Sequence, residues 1–399
     1  MKYFDLLKQV FFTRKGELRS LNGLRALAIL LVLLHHIQPL LENIPNTNPI
    51  IHHFFGNFVS GVDLFFILSG YLISKELQNT WNKYGKIDFK NFYLKRTLRI
   101  FPAYYFFLTV IFVIYTIIIN NPKFQTLPQY KDIIKVYSWW PMDFIYMSDY
   151  FKGIHIHTWS LSVEEKFYLV LPFFVHFIYF RLAKKSRLYT LSLLYFLPLL
   201  FRFITFYNTD FSLEGYRIYY THYPIHARFD ALLLGIILME LHTNWNILAF
   251  LHDKVFLRFQ LYLISFFILF LSHIVDTSKV NSIYFQVLNY NGFDIGFAIL
   301  FLLCLDENSI ISKVMSFQIF TPIARLSYTI YLWHIHIFIT ATNGTQISKK
   351  VIEKGTITWL EFGTVFLYGV LVIMIWSFFL YAIVEAPFLY LKERLKKTT

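Results

Sequence analysis

Stretches of about twenty apolar residues recur along this chain, and they constrain its fold more than any other feature. A helix needs about 20 apolar residues to cross the hydrocarbon core of a bilayer. Hydrophobic residues make up 56% of the 399 and charged residues only 15%, too little polar surface for a soluble globule of this length. We therefore predict an all-α polytopic membrane protein with about ten transmembrane helices. Their windows are 21–40, 58–78, 98–119, 163–181, 188–206, 227–241, 256–275, 291–305, 326–341 and 359–384.

The distribution of basic residues predicts the orientation. If both termini are cytoplasmic, 23 of the 37 lysines and arginines lie in inner segments and nine lie in outer segments. Such an excess on one side is the positive-inside bias of membrane proteins. The net charge of +13 thus reflects topology, and we predict no nucleic-acid partner.

Three parts follow from this pattern. Residues 1–14 alternate charged and bulky apolar side chains, which is typical of a short helix lying on the inner membrane surface, so residues 1–18 are predicted to be an interfacial amphipathic segment. Residues 19–390 form the transmembrane domain, and residues 391–399 form a basic cytoplasmic tail. The single cysteine, Cys304, excludes a disulfide within the chain.

Two ionisable residues share the first apolar window. Arg25 and His36 are eleven residues apart, which separates them by ~16 Å along a helix axis. Ionisable groups inside a membrane are costly and usually mark a site. The alternative is that Arg25 reaches the headgroups and His36 only ends the helix.

A cluster of basic side chains, called the cationic cup, is predicted at the cytoplasmic ends of the spans, the inner mouth of the site. The third window opens with Lys95, Arg96 and Arg99, and the two arginines share one helical face. Arg25, and Arg325 as a further candidate, could join them. Ordinary flanking charge explains Lys95 and Arg96 well, but explains Arg25 and Arg99 less well.

A second polar cluster is predicted near the outer ends of the spans. Glu164 and Glu165 are adjacent and point about 100° apart, so only one can face a common site. Arg228 and Asp230 could instead pair with each other or with neighbours and have a structural role. The cluster comprises His35, His36, Asp63, Glu164, Glu165, Arg228 and Asp230.

Two further histidines, His334 and His336, lie in the ninth window. Together with His36, they could ligate a metal ion. Such sites usually add well-spaced cysteines or carboxylates, so we predict no metal.

Seven sequence blocks, taken in order, resemble the membrane-bound acyltransferase-3 family of integral-membrane O-acyltransferases over about residues 19–390. Lys166 departs from the glutamine more usual in the family, which could alter substrate choice. We expect the stand-alone form, without a C-terminal esterase-like domain. The blocks are RSLNGLRALAILLVLLHH, GVDLFFILSGYLIS, KRTLRIFPAYY, HTWSLSVEEKFYLVLP, HARFDALLLG, LSYTIYLWH and VEAPF.

The resemblance implies transfer of an acyl group, most often acetyl, from cytoplasmic acyl-CoA to a hydroxyl across the bacterial inner membrane. Arg25, Arg96 and Arg99 would bind the donor phosphates. His36 would be the general base, with Glu164 or Glu165 as its partner. The acceptor would be a surface glycan such as lipopolysaccharide, or a lipid-linked carbohydrate, and a homo-oligomer stays open. Residues contacting the acceptor would be His35, Asp63, Arg228, Asp230 and His334.

Two alternatives remain at this point. His36 could deprotonate the acceptor for direct attack, which we favour, or carry the acyl group itself. A transporter or flippase of lipid-linked glycans would also place charges within the membrane. Transporters often show paired repeats and broken helices in matching halves, and the sequence shows no such repeat.

Overall fold

The computed structural model describes residues 3–13, 16–126, 130–151, 153–209, 218–276 and 282–398. This part of the chain contains no β-strand and is 82% helical, which confirms the predicted all-α class. Its α-helices are α1 (Tyr3–Phe11), α2 (Arg19–Ile37), α3 (Pro49–Gly56), α4 (Gly61–Tyr84), α5 (Phe89–Asn120), α6 (Tyr130–Tyr137), α7 (Trp140–Phe144), α8 (Thr158–Phe177), α9 (Lys184–Asn208), α10 (Ile225–Arg228), α11 (Asp230–Thr243), α12 (Ile247–His252), α13 (Val255–His273), α14 (Asn289–Leu305), α15 (Ile310–Met315), α16 (Phe320–Trp333), α17 (Phe338–Asn343), α18 (Gln346–Lys354), α19 (Trp359–Leu380) and α20 (Ala386–Thr398).

Short 3₁₀ and π segments connect several of these helices. The 3₁₀ segments are Gln38–Asn43, Asn57–Ser60, Pro122–Phe124 and Tyr179–Arg181, and the π segments are Ile218–His222, Tyr284–Leu288 and Tyr381–Glu385.

Within the described residues, seven helical segments are long and apolar enough to cross a membrane. The other three predicted windows are also helical, but α11 and α16 have only 14 residues each, or ~21 Å. The third, α8, carries three adjacent charged residues. The count of ten therefore stays a prediction. The seven segments are Arg19–Asn43, Pro49–Tyr84, Phe89–Asn120, Lys184–Asn208, Val255–His273, Tyr284–Leu305 and Trp359–Glu393.

The predicted span 326–341 is not one helix. α16 ends at Trp333, residues 334–337 form a turn, and α17 starts at Phe338. The sequence prediction of a continuous helix was wrong here. Non-helical backbone at membrane depth is tolerated where protein encloses it, and such breaks often accompany polar sites.

The chain divides into two compact units. Unit 1 contains Met1–Lys75 and Asp230–Ala386, and unit 2 contains Glu76–Phe229 and Pro387–Thr399. The chain passes between them within α4 and at the start of α20.

Glycines bring helices of unit 1 into close contact. A Cβ added to Gly61 would lie 2.4 Å from the Ala28 carbonyl oxygen, and one on Gly70 would lie 2.0 Å from that of Leu232. Small residues allow such close approach of helices in membranes. The sequence GVDLFFILSGYLIS predicts close helix approach at these two glycines, and the structure confirms it. Gly61 thereby fixes the start of α4 against α2.

The amino-terminal helix α1 also belongs to unit 1. Leu6 and Val10 are buried, while Phe4 on the same helix is exposed. The Tyr3 hydroxyl donates to the Ala382 carbonyl, which attaches the helix to the π segment after α19. The helix predicted for this region is present, and its role at the membrane surface stays a prediction.

The core of unit 2 is built on α5 and α8. The Tyr93 hydroxyl donates to the Leu169 carbonyl at 2.7 Å, and the rings of Phe89 and Phe173 lie 4.9 Å apart. Further along α5, the Tyr104 hydroxyl donates to the Asp143 carbonyl at 2.8 Å. These contacts fix the register of the two helices and attach α7 to α5.

Candidate active site

His36 lies among other imidazoles in unit 1. It occupies the last turn of α2, where the helix gives way to a 3₁₀ turn that begins at Gln38. Its ring centroid is 4.7 Å from that of His334 and 5.1 Å from that of His35. The structure thus brings together three of the histidines that the sequence singled out.

His334 is fully buried and held in one orientation. It caps the carboxyl end of α16, and its Nδ1 lies 2.6 Å from the Tyr331 carbonyl oxygen. A carbonyl only accepts, so in the neutral ring Nδ1 carries the hydrogen and Nε2 keeps a lone pair. The helix break at residue 334 therefore places an oriented acceptor beside His36.

Both rings lie at carboxyl ends of helices. His36 is in the final turn of α2, and His334 follows Trp333, the final residue of α16. Carboxyl ends of helices expose carbonyl groups with partial negative charge. Partial negative charge of this kind interacts favourably with a positively charged imidazole.

A hydrogen bond between two of the sequence blocks supports α16. The Thr329 hydroxyl donates to the carboxylate of Glu385, which lies in the π segment after α19. Both residues are buried. Our reasoning from the sequence missed this pair, although both members lie in blocks quoted for the family resemblance. The bond ties the carboxyl-terminal block to the helix that carries His334.

Arg25 is half-buried on α2, three turns before His36. Nearby in sequence, Glu17 pairs with Arg325 at 2.5 Å and accepts from the Asn22 side chain at 3.0 Å. Arg325, considered for the cationic cup, is thus engaged with a carboxylate.

The predicted cations of unit 2 surround one carboxylate. Arg96 pairs with Glu76 at 2.5 Å, and Lys95 lies 3.5 Å from the same side chain. Arg99 is exposed, one helical turn further along α5. No carboxylate within the described part of the chain pairs with Arg99.

The acids of α8 lie near Arg96 rather than apart from it. The Tyr168 hydroxyl donates to Glu164, and the Arg96 guanidinium carbon lies 5.7 Å from the Tyr168 ring centroid. Glu165 interacts through charge with both Glu164 and Arg96. We predicted these acids at the outer level and Arg96 at the inner mouth, and that separation is wrong within unit 2. The reason is the register between the two helices: the Tyr93 to Leu169 hydrogen bond places Arg96 beside Tyr168.

The other residues predicted to contact the acceptor are His35, Asp63, Arg228 and Asp230. His35 lies against the backbone of Phe55 and Gly56 in unit 1. Asp63 is buried in the first turn of α4. These two do belong to the same unit as His36.

Arg228 and Asp230 belong to different units, although only one residue separates them in sequence. The Arg228 guanidinium carbon is 5.8 Å from the Trp159 ring centroid. An Asp230 carboxylate oxygen accepts from the Ala231 backbone N–H at 3.2 Å. Both side chains are buried.

Lys166 forms an ion pair with Asp149, which is fully buried. Asp149 also accepts from the Ile225 backbone N–H at 3.4 Å. The lysine that departs from the family pattern therefore has a structural partner within unit 2, which our sequence reasoning missed. Only the fold brings the two together, because they are 17 residues apart and on different segments.

A second buried aspartate holds the loop that precedes α8. Asp143 accepts from the Ile154 backbone N–H at 2.6 Å and from the Thr158 hydroxyl. Gly153 leaves room for it, since an added Cβ there would lie 2.3 Å from the carboxylate. Burial raises the pKa of the Asp143 carboxyl to about 6, although these hydrogen bonds oppose the shift.

The described residues contain no group of three or more His, Cys, Asp or Glu side chains arranged to hold a metal ion.

With this geometry in view, comparison with known proteins decides the family. A family model described as an acyltransferase domain matches residues 18–382. The chain belongs to the acyltransferase-3 family. That match covers the histidine cluster of unit 1 and the cations of α5.

Two relatives from curated proteins are O-acetyltransferases by name. The chain is 28% identical over 352 residues to O-acetyltransferase OatA of Staphylococcus aureus strain NCTC 8325, covering 85% of this chain and 53% of the relative. It is 29% identical over 349 residues to peptidoglycan O-acetyltransferase OatA of Listeria monocytogenes serovar 1/2a, covering 84% and 51%. The chain thus spans about half the length of these relatives. No solved structure matches it.

Proposed function

We propose that this protein is a membrane O-acetyltransferase of the bacterial inner membrane, which transfers acetyl from cytoplasmic acetyl-CoA to a hydroxyl of an extracytoplasmic carbohydrate. Membership of the acyltransferase-3 family and the names of the relatives support the reaction class. The orientation rests on the distribution of basic residues.

One observation carries the proposal: the ring of His36 lies 4.7 Å from the oriented ring of His334 at the ends of two helices. A histidine in this position is suited to act as a general base. It would remove the proton of the acceptor hydroxyl as the oxygen attacks the thioester carbonyl carbon. The carbon–sulfur bond then breaks, and the thiolate receives the proton from His36.

The partial negative charge at the carboxyl ends of α2 and α16 would stabilise the imidazolium formed in this step. His334 would keep the His36 ring in place. The partnership of Glu164 or Glu165 with His36 stays a prediction, since the acids belong to unit 2 and His36 belongs to unit 1. Direct transfer needs fewer steps than a route through an acyl-histidine intermediate, so direct transfer is the mechanism that we propose.

The donor carries phosphates, and arginines are suited to bind them. Arg25 in unit 1 and Arg96 and Arg99 in unit 2 are the proposed donor-binding residues. For the acceptor, the name of the Listeria relative makes peptidoglycan the first candidate among the glycans of the cell envelope. Lipopolysaccharide and lipid-linked glycans remain to be tested beside it.

The test is to compare cell-envelope glycans from cells with the gene, without it, and with the His36→Ala variant. We expect an alkali-labile acetyl ester that NMR assigns to one sugar hydroxyl, present only with the wild-type gene. The ester should also carry label supplied as acetate. Unchanged glycans in all three strains would refute the proposal. Labelled glycan crossing the membrane without a new ester would instead support a flippase.

A further inference from the structure

The carboxyl-terminal helix contributes a lysine to the cationic cluster of unit 2. α20 runs from Ala386 to Thr398, and its residues from Pro387 onward belong to unit 2. Lys392 on this helix interacts through charge with Arg96, Arg99 and Glu76. Nearly 300 residues of chain separate it from the two arginines, so only the fold brings them together.

The carboxylate ion pairs of this cluster involve Lys95 and Arg96. Glu76 is held by Arg96 at 2.5 Å and by Lys95 at 3.5 Å. Glu393, the neighbour of Lys392, supplies a second negative charge. Neither Arg99 nor Lys392 forms an ion pair with a carboxylate in the part of the chain that the structure describes. Glu164 and Glu165 also lie near Arg96, but the charges of Arg99 and Lys392 are left for an anion to neutralise.

Basic residues that only mark the cytoplasmic side of a membrane protein do not need to be clustered in this way. A flanking cation gains from solvent, and like charges on separate helices move apart when they can. Here three cations on α5 are grouped with a fourth from α20, and Glu76, at the start of unit 2, interacts through charge with Lys95, Arg96 and Lys392. Like charges kept together in this way are typical of an anion site.

We propose that Lys392, together with Arg96 and Arg99, binds a phosphate group of the acyl donor, and that Glu76 is the counter-ion which this phosphate displaces from Arg96. This inference rests on the proposed function and extends it to a residue of the carboxyl-terminal helix. The shared chemistry is a phosphate ester, which could also come from an anionic lipid headgroup.

The test measures binding of coenzyme A to the full chain in nanodiscs. We compare wild type with Lys392→Gln, Lys392→Arg and Lys90→Gln. Lys90 is an exposed lysine near the start of the same α5 helix and outside the cluster, so it is the matched control. In nanodiscs of phosphatidylcholine alone, we expect Lys392→Gln to raise the Kd about tenfold or more, the loss of one charge-assisted hydrogen bond. Lys392→Arg and Lys90→Gln should stay within about twofold of wild type.

Two outcomes would overturn the inference. One is an unchanged Kd for Lys392→Gln when wild type binds coenzyme A. The other is a loss that appears only when phosphatidylglycerol is added, because Lys392 would then bind a lipid headgroup. If wild type binds no coenzyme A at all, the proposed function itself fails.

The role of Glu76 is tested in the same assay. Removing a competing carboxylate should tighten binding, so Glu76→Gln is expected to lower the Kd for coenzyme A several-fold. A higher Kd for this variant would mean that Glu76 positions Arg96 instead, and would refute the displaced counter-ion. Wild-type thermal stability of each variant, with coenzyme A absent, shows that the fold is retained.

Discussion

The candidate functional residues of the two units have different surroundings. In unit 1 the candidate base, His36, is surrounded by rings, and its neighbours His334 and His35 are imidazoles. In unit 2 the candidate donor-binding residues form a network of full charges, with Arg96 held by Glu76. One region relies on ring orientation and helix ends, and the other relies on opposite charge.

This difference indicates what each region can tolerate. Ring orientation depends on packing, so small changes in side-chain position in unit 1 should affect the chemical step. Charge interactions are longer in range and less directional, so changes in unit 2 should mainly affect binding.

Replacing His36 with alanine should abolish transfer, because the general base is lost. We expect a decrease of roughly 10²- to 10⁴-fold in the rate of ester formation on the glycan. The measurement is alkali-labile acetate per amount of protein in the membrane. His35→Ala is the matched control and should be milder, since His35 lies beside the site against backbone atoms. Equal losses would contradict the choice between the two histidines.

Replacing His334 with alanine should lower kcat by roughly a hundredfold or less, because His36 would lose the ring that positions it. His334→Asn should recover part of the activity. Its side-chain amide can still donate to the Tyr331 carbonyl, as Nδ1 does now. Steady-state kinetics with acetyl-CoA would separate kcat from KM. A rise in donor KM with kcat unchanged would assign His334 to binding and contradict the division between a chemical role for unit 1 and a binding role for unit 2.

Replacing Arg99 with alanine should raise the KM for acetyl-CoA about tenfold, the equivalent of one lost charge-assisted hydrogen bond. The value of kcat should remain near that of wild type, because the chemical step belongs to unit 1. Lys86→Ala, an exposed lysine in the loop before α5, serves as the control. A fall in kcat without a change in KM would show that the charges of unit 2 act in the reaction.

The smallest effect concerns the loop of unit 2 that Asp143 holds. The pKa of Asp143 is raised from 3.8 to about 6, so the folded loop binds a proton more tightly than the unfolded chain does. This contribution to stability is present below about pH 4 and is lost as the pH rises through about 6, at most on the order of 3 kcal/mol.

Hydrogen exchange of the Ile154 amide would measure this effect, after correction for its intrinsic pH dependence. Protection should fall between pH 4 and pH 6 in wild type. Asp143→Asn should show no such fall, because the titrating group is gone. The same pH dependence in both proteins would assign it to another residue.

Much of the fold could be predicted from local sequence. The apolar windows predicted the helices, and Gly61 and Gly70 marked close helix contacts that the structure confirms. The partners of the charged residues could not be predicted. Arg96 meets Glu76 and Lys166 meets Asp149 because of helix rotation and register, which spacing along one helix does not reveal.

The depth of the acids was mispredicted for a related reason. We placed Glu164 and Arg96 at opposite levels by assuming that each span begins at the membrane surface. The Tyr93 to Leu169 hydrogen bond sets a different register between α5 and α8. Likewise, a hydropathy window could not show that the helix before His334 would stop there, since Ile337 and Phe338 continue the apolar run.

The sequence by itself determined the all-α membrane class, the family and the presence of a histidine near the end of the first span, because apolar length and block order are local properties of the chain. Only the tertiary structure decided which side chains meet. The histidine pair of unit 1 and the ion pairs of unit 2 join residues far apart in sequence, and their contacts depend on how helices pack.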